Sequence, residues 1–154
     1  KYHFAFDLCA SAKNAKVANY CTKEEDALKL IPTLGPHGEW LWCNPPYSKP
    51  NLPLFTRALR EMARTVRTVM LVPATPGAAW FQDNVLGGAD LMNFGSIDRG
   101  PLQGKVLQFS ASNCRIELTF LRGRLDFVNP DPSKGTSAKT DSALVRYFPR
   151  GVNW

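Results

Sequence analysis

The sequence predicts an α/β fold, in which strands of one sheet alternate with helices and a β-hairpin lies at the C-terminal edge. Two observations lead to this prediction. In the first half of the chain, short apolar runs alternate with stretches whose apolar residues have helical spacing. In the second half, strand-like runs follow one another directly. Sheets of this class bind ligands at the carboxyl ends of their strands.

Three strands are predicted in the first half of the chain. Residues 2–8 alternate large apolar side chains, as a half-buried strand does. Residues 39–43 form a short apolar run that stops at an Asn-Pro-Pro-Tyr sequence, and residues 68–72 form a continuous apolar run that stops at Pro73. These three runs therefore predict the core of the sheet.

Helices are predicted between and after these strands. Residues 24–30 have helical character that ends at Pro32 and Gly35, and residues 54–66 carry apolar side chains every three or four positions. A further helix is predicted at residues 80–86. The remaining elements are an irregular Gly-rich segment at 87–113 with short strands near 90–94 and 106–109, strands at 114–120, 125–128 and 143–148, and a polar turn at 129–141.

Length and composition indicate one ordered domain covering residues 1–154, with 44% hydrophobic and 21% charged residues. The net charge of +6 suits a polyanionic partner, because cations near phosphates release condensed counterions. No apolar run is long enough to cross a bilayer and no signal peptide opens the chain, so we expect no membrane partner and a cytoplasmic location.

The four cysteines and two histidines do not have the spacing of a metal site. Cys9 and Cys43 lie in apolar strand-like runs, and the sequence favours free thiols in a reducing compartment. We therefore expect no metal.

The sequence Asn44-Pro45-Pro46-Tyr47 directly follows a predicted strand. An amine conjugated with an aromatic ring is a poor nucleophile, and acceptors beside it counter this by stabilising the positive charge that develops on nitrogen. The Asn44 side-chain oxygen and the Pro45 carbonyl are such acceptors, the prolines restrict the backbone, and Tyr47 offers a face for stacking a base. The alternative interpretation is a simple turn after a strand.

A second strand ends at Asp7-Leu8-Cys9-Ala10, where small residues would let a ligand approach the backbone. The Asp7 carboxylate could accept a hydrogen bond from an ammonium group, such as that of a methionine moiety. An Asp that closes a strand is as often a turn or helix cap.

Taken together, these segments resemble the phage-type DNA N-6-adenine methyltransferases. The resemblance is colinear along nearly the whole chain and rests on Phe6-Asp7-Leu8-Cys9-Ala10-Ser11, Asn14-Ala15-Lys16, Tyr20-Cys21-Thr22, Glu25-Asp26-Ala27-Leu28, Trp42 to Ser48, Met70 to Ala74, Trp80-Phe81, Arg122-Gly123-Arg124-Leu125 with Phe127, and Ser142 to Val145. It implies a Rossmann-like fold, S-adenosylmethionine as methyl donor and a flipped adenine in double-stranded DNA as acceptor.

Residue roles follow from the resemblance. Asp7, Leu8, Cys9 and Ala10 would lie at the methionine end of the cofactor, and Asp26 on its adenine or ribose side. A solvated acid on a helix is the alternative for Asp26. The catalytic pocket would consist of Asn44, Pro45, Pro46 and Tyr47, with Asn44 also beside the cofactor. Residues 87–113 are longer than the resemblance leads us to expect and form an insertion or a target-recognition segment.

For contacts with DNA the sequence offers two kinds of basic group. Arg57, Arg60, Arg64 and Arg67 form a stripe on and just past a predicted helix, which we interpret as solvated surface. Strand-end loops are better placed, and the expected DNA-binding residues are Arg122, Arg124, Lys134 and Lys139. Methyl transfer to RNA adenine or to a protein glutamine, and an inactive module that only binds nucleic acid, are the alternative functions.

Overall fold

In the part of the chain that the structure describes, the fold is a seven-stranded mixed sheet with the helices packed on one face. The computed structural model describes residues 3–34, 39–97, 104–123, 125 and 140–151. Its elements, in chain order, are β1 (Phe4–Asp7), α1 (Ala27–Leu30), a 3₁₀ turn (Ile31–Thr33), β2 (Trp40–Cys43), α2 (Asn51–Met62), β3 (Arg67–Pro73), a π-helical segment (Phe81–Leu86), β4 (Asp90–Ile97), β5 (Gly104–Ser110), β6 (Cys114–Phe120) and β7 (Ser142–Pro149).

The strand order is β1-β2-β3-β7-β6-β5-β4. Strands β1, β2 and β3 are mutually parallel, and every pair from β3 onward is antiparallel. Since β6 is antiparallel to β7, which is antiparallel to β3, strand β6 runs in the same direction as β1 to β3. The carboxyl ends of these four strands therefore lie at one edge of the sheet.

This order does not confirm the predicted hairpin at the C-terminal edge, and most of the strand predicted at residues 125–128 lies outside the described residues. The C-terminal strand β7 lies in the middle of the sheet, between β3 and β6, and the edge beyond β5 is formed by β4. The physical reason is burial on both faces: Ala143, Val145 and Tyr147 are fully buried, and Leu144 and Phe148 are nearly so. The short strands predicted near residues 90–94 and 106–109 are present, and they are longer than predicted and form the antiparallel pair β4 and β5.

Helix α2 packs its apolar side against the sheet. Leu52, Phe55 and Leu59 are buried, whereas Leu54 is exposed. The helix begins at Asn51, earlier than the predicted residue 54, because Pro53 falls in the first turn, where the missing N–H has no intrahelical partner to lose. The predicted helix at residues 80–86 is present as the π-helical segment.

Arg60 of α2 joins the π-helical segment to the rest of the fold. Its guanidinium donates hydrogen bonds to the carbonyls of Val85 and Gly87, at the end of that segment. Carbonyls at the end of a helix lack intrahelical donors, and the Arg60 guanidinium supplies donors to these two.

On the face of the sheet opposite α2, the described residues include a small apolar cluster of Val69, Leu71 and Leu144. Beside it, Glu117 of β6 contacts Arg146 of β7 and accepts a hydrogen bond from Gln108 of β5. The three side chains are cross-strand neighbours in register, so the charged pair lies within the sheet beside Gln108.

A candidate cleft at the carboxyl ends of the first two strands

A cleft of about 720 Å³ opens where β1 and β2 end. This position is the one at which α/β sheets bind ligands, and the volume lies in the range of small-molecule sites. The cleft combines residues from the loop after β1, from α1 and its approach, from the segment after β2 and from α2. They are Leu8, Cys9, Ala10, Ser11, Asn14, Thr22, Lys23, Asp26, Ala27, Leu28, Asn44, Pro45, Pro46, Ser48, Asn51 and Phe55.

The loop after β1 forms the first wall, and Asp7 lies behind it. The Asp7 carboxylate is buried and accepts hydrogen bonds from the backbone N–H groups of Cys9 at 3.2 Å and Lys16 at 3.0 Å. Within the loop, Asn14 Oδ1 accepts from the Ser11 amide at 2.7 Å. Of the sequence-predicted residues in this wall, Leu8, Cys9 and Ala10 line the cleft, and Asp7 does not.

Asp26 forms the second wall and caps α1. Its side chain accepts a hydrogen bond from the Leu28 amide at 3.2 Å, and Lys29 Nζ lies 3.4 Å from its other carboxylate oxygen. Its backbone has the left-handed φ of 55°, a conformation that Asp tolerates better than most residues. Asp26 therefore caps α1 and also lines the cleft.

The segment after β2 forms the third wall. Asn44 is half-buried, Pro45 is buried and Pro46 is exposed, and all three line the cleft. Within the described part of the chain, neither the Asn44 side chain nor the Pro45 carbonyl has a hydrogen-bond partner. Two acceptors at a cleft wall are thus available to a ligand.

Tyr47 lies beside the cleft, outside its lining residues. The side chain is 38% exposed, and its hydroxyl donates a long hydrogen bond of 3.5 Å to the Leu71 carbonyl. Burial raises the pKa of the Tyr47 hydroxyl above its ordinary value, and the nearby Cys43 raises it further. The ring is consequently uncharged and partly open to a stacking partner.

The thiol of Cys9, a residue that lines the cleft, lies close to the buried thiol of Cys43. The Sγ atoms of Cys9 and Cys43 are 3.8 Å apart, and burial raises the pKa of Cys43 well above its ordinary value. All four cysteines of the chain are free thiols, and only Cys9 among them is incompletely buried.

Comparison with known proteins identifies the family. A family model described as DNA N-6-adenine-methyltransferase (Dam) matches residues 1–150. The chain belongs to the Dam family. Two DNA N-6-adenine-methyltransferases are similar to this Dam-family chain. That of Haemophilus phage HP1 (strain HP1c1) is 37% identical over 79 residues, which are 51% of this chain and 43% of the relative.

The second relative, from Escherichia phage T1, is 28% identical over 89 residues, which are 58% of this chain and 36% of the relative. The Dam-family chain therefore spans less than half the length of each of these two curated relatives. No solved structure gives a significant match to the chain.

Of the four basic residues predicted to contact DNA, Arg122 falls within the part of this Dam-family chain that the structure describes. It is exposed and follows β6, whose carboxyl end lies at the same edge of the sheet as the cleft. Arg124, Lys134 and Lys139 lie outside the described residues. On α2, Arg57 pairs with Glu61 at 2.9 Å, and Arg60 is used internally, so this stripe is in part structural.

The sequence reasoning missed several lining residues, because their signals are weak. Phe55 looks like an ordinary core position of α2, yet it also lines the cleft. Ser48 and Asn51, joined by a hydrogen bond of 3.1 Å, extend the wall beyond Tyr47. Both lie close to Asn44 along the chain, and Ser48 also belongs to a segment that carries the family resemblance.

The described residues offer neither a metal site nor a membrane-spanning helix. These residues contain no group of three or more His, Cys, Asp or Glu side chains able to hold a metal ion. No described helix is long and apolar enough to span a bilayer.

Proposed function

We propose that this chain is a Rossmann-like methyltransferase domain that transfers a methyl group from S-adenosylmethionine to N6 of adenine in double-stranded DNA. The observation that carries the proposal is the pairing of two unpartnered acceptors, the Asn44 side chain and the Pro45 carbonyl, with a ligand-sized cleft at the carboxyl ends of β1 and β2. Membership of the Dam family supports the choice of adenine and of DNA.

The residues of the cleft fit S-adenosylmethionine. The cleft, with a volume of about 720 Å³, is large enough for a nucleoside-sized cofactor and leaves room for an entering base. Leu8, Cys9 and Ala10 would hold the methionine end, and Asp26 would accept hydrogen bonds from the adenosine part, beside the apolar side chain of Leu28. When bound, the cofactor supplies an electrophilic methyl group on a sulfonium.

The chain's own residues would activate the amine. The Asn44 oxygen and the Pro45 carbonyl each accept one N–H of the adenine amino group, which shifts electron density towards nitrogen and stabilises its developing positive charge. A carboxamide is too weak a base to keep a proton, so Asn44 acts as an acceptor and the surplus proton passes to solvent. Pro45 and Pro46 hold this segment without reorganisation.

An adenine within a duplex cannot reach this cleft, so the base must be swung out of the stack. Tyr47, partly exposed beside the cleft, would stack on the flipped base. Arg122 would contact phosphate from the same edge of the sheet. It follows β6, which lies three strand spacings, roughly 14 Å, from the β2 strand that precedes Asn44. We assign target recognition to residues 87–113, which include the edge pair β4 and β5, within one domain covering residues 1–154.

Methyl transfer measured in parallel on double-stranded DNA, RNA and protein tests the proposal. With labelled S-adenosylmethionine, we expect label in DNA, released as N6-methyladenine after digestion to nucleosides. Label in RNA or in a protein glutamine side chain would show that RNA or protein, and not DNA, is the substrate. Calorimetry with S-adenosylmethionine distinguishes an active methyltransferase from an inactive module, which would bind DNA but not S-adenosylmethionine. The activity would take place in the cytoplasm of a bacterial or phage-infected cell.

A further inference from the structure

We propose that Asp7 is a positioning residue, which shapes the wall of the cleft from behind and makes no contact with the ligand. This inference rests on the proposed function. An acid at the end of the first strand suggests a partner for the cofactor's ammonium group. In the structure, however, Asp7 is only 2% exposed and is absent from the residues that line the cleft.

Asp7 makes four hydrogen bonds to the surrounding backbone. Its N–H donates to the Asn19 carbonyl at 2.9 Å, and its carbonyl accepts from the Cys21 amide at 2.8 Å. Its two carboxylate oxygens accept from different residues, Oδ1 from the Cys9 amide and Oδ2 from the Lys16 amide. Each carboxylate oxygen is thus already engaged by a backbone donor.

The two carboxylate bonds span the loop that forms the first wall of the cleft. Cys9 stands at the beginning of this loop and Lys16 at its end, and Leu8, Cys9, Ala10, Ser11 and Asn14 all line the cleft. A charged acceptor that ties both ends of a loop reduces the number of conformations open to it. Asp7 therefore acts on any ligand of this wall equally, whether or not that ligand carries an ammonium group.

Asparagine at this position tests the idea with little change in volume. One carboxylate oxygen of Asp7 becomes an NH₂ group, which meets a backbone N–H and leaves that donor without an acceptor. The Asp7→Asn variant should then bind cofactor-shaped ligands more weakly, because the wall is no longer held. Under the alternative, in which Asp7 binds the ammonium, only ammonium-bearing ligands would lose affinity.

The experiment compares two probes by calorimetry on the whole protein: S-adenosylhomocysteine, and the same molecule with hydrogen in place of its α-ammonium group. We expect Asp7→Asn to weaken both by the same factor, about tenfold, as for the loss of one charge-assisted hydrogen bond. Glu61→Gln is the matched control. It changes the net charge equally, breaks only an exposed pair on α2, and should leave both affinities unchanged.

A second variant keeps the carboxylate and removes its donor. Lys16→Pro deletes the N–H that Asp7 Oδ2 accepts, and should reproduce the equal weakening of both probes. The variant that combines Asp7→Asn with Lys16→Pro should bind the probes no more weakly than the worse single variant, since both changes disrupt the same link between the Asp7 side chain and the loop. If Asp7→Asn does not fold, Lys16→Pro decides alone: equal weakening supports the positioning role, and unchanged affinities overturn it.

The outcomes separate this inference from the proposed function. Weakening of the ammonium-bearing probe alone would show that Asp7 is a ligand and would overturn the inference. If the unmodified protein binds neither probe, the proposed function fails. Amide hydrogen exchange then decides on the positioning role: Asp7→Asn should speed exchange at Lys16 and Cys9, and unchanged rates would refute it.

Discussion

The amide of Leu8 donates a hydrogen bond of 2.9 Å to the carbonyl of Trp42. This bond links the first residue after β1 to a residue two positions before Asn44. The wall assigned to the methionine end of the cofactor and the wall assigned to the target amine are therefore held together by the sheet itself. Donor and acceptor can then be aligned without movement of either wall.

Replacing Asn44 should separate catalysis from binding. We expect Asn44→Ala to lower methyl transfer by about 10² or more, because an acceptor aimed at developing charge is lost, while the affinity for S-adenosylhomocysteine changes little. Single-turnover transfer and calorimetry measure the two effects. Asn44→Asp keeps an acceptor oxygen and should retain more activity than the alanine variant; full activity in Asn44→Ala would remove Asn44 from the catalytic role.

Tyr47 is expected to act through its ring. Tyr47→Ala should lower kcat/KM for DNA roughly 5-fold to 100-fold, the range for loss of one stacked base. Tyr47→Phe should stay within about twofold, because the hydrogen bond of the hydroxyl to the Leu71 carbonyl is long, at 3.5 Å. Steady-state kinetics on one duplex suffices. An equal loss in both variants would assign the effect to the hydroxyl instead.

Arg122 should contribute to DNA affinity through phosphate. Arg122→Ala should weaken binding to specific and unrelated duplexes alike, and should reduce the slope of log K against log salt by about one. Fluorescence anisotropy over a salt series measures this slope. The control is Arg57→Ala, which removes the same charge from the paired position on α2. Identical slopes in the two variants would place the DNA elsewhere.

Arg60 is expected to stabilise the fold, unlike its neighbour Arg57. Arg60→Ala leaves the Val85 and Gly87 carbonyls without their donor and should lower the free energy of unfolding by about 1.5–3 kcal/mol. Arg57→Ala breaks an exposed pair on the same helix and should cost less than about 1 kcal/mol. Denaturant unfolding compares them, and equal losses would contradict this assignment.

The pair of Glu117 and Arg146 predicts a pH dependence of stability. Burial raises the pKa of Glu117 above its ordinary value of 4.5, and Arg146 and Gln108 oppose the rise. The folded chain then holds this proton more tightly than the unfolded chain does. Protonated Glu117 therefore stabilises the fold at low pH, and this stabilisation is lost as the pH rises from 4.5 through the raised pKa of the folded state.

Glu117→Gln should remove this dependence. The difference in unfolding free energy between the parent and the variant should shift in favour of the parent as the pH falls towards 4.5. Other titrating groups cancel in this difference. Urea unfolding of both proteins across the acid range measures it, and a difference independent of pH would refute the buried-carboxylate explanation.

The parallel part of the fold follows directly from the sequence. Continuous apolar runs predict β2 and β3, and the Asn-Pro-Pro-Tyr sequence after β2 indicates the edge at which the cleft opens. Strand order in the antiparallel part depends on contacts between distant residues, such as Leu144 opposite Leu71, which no local pattern reveals. The position of the C-terminal strand in the middle of the sheet could therefore not be predicted from the sequence.

The site shows the same division. Asn44 and Pro45 could be chosen from the sequence because their chemistry is distinctive and their strand is evident. The orientation of Asp7 could not, because a carboxylate at a strand end serves equally as a ligand or as a backbone acceptor. Phe55 was missed since its apolar spacing on α2 is explained by core packing alone.

Sequencing that maps modified adenines tests the central claim most directly. DNA from cells that express the protein should carry N6-methyladenine at a defined short sequence, and DNA from cells that express the Asn44→Ala variant at equal level should carry almost none. Unmodified adenine in both, or the same modification in both, would contradict the assignment of adenine methylation to the Asn44 cleft.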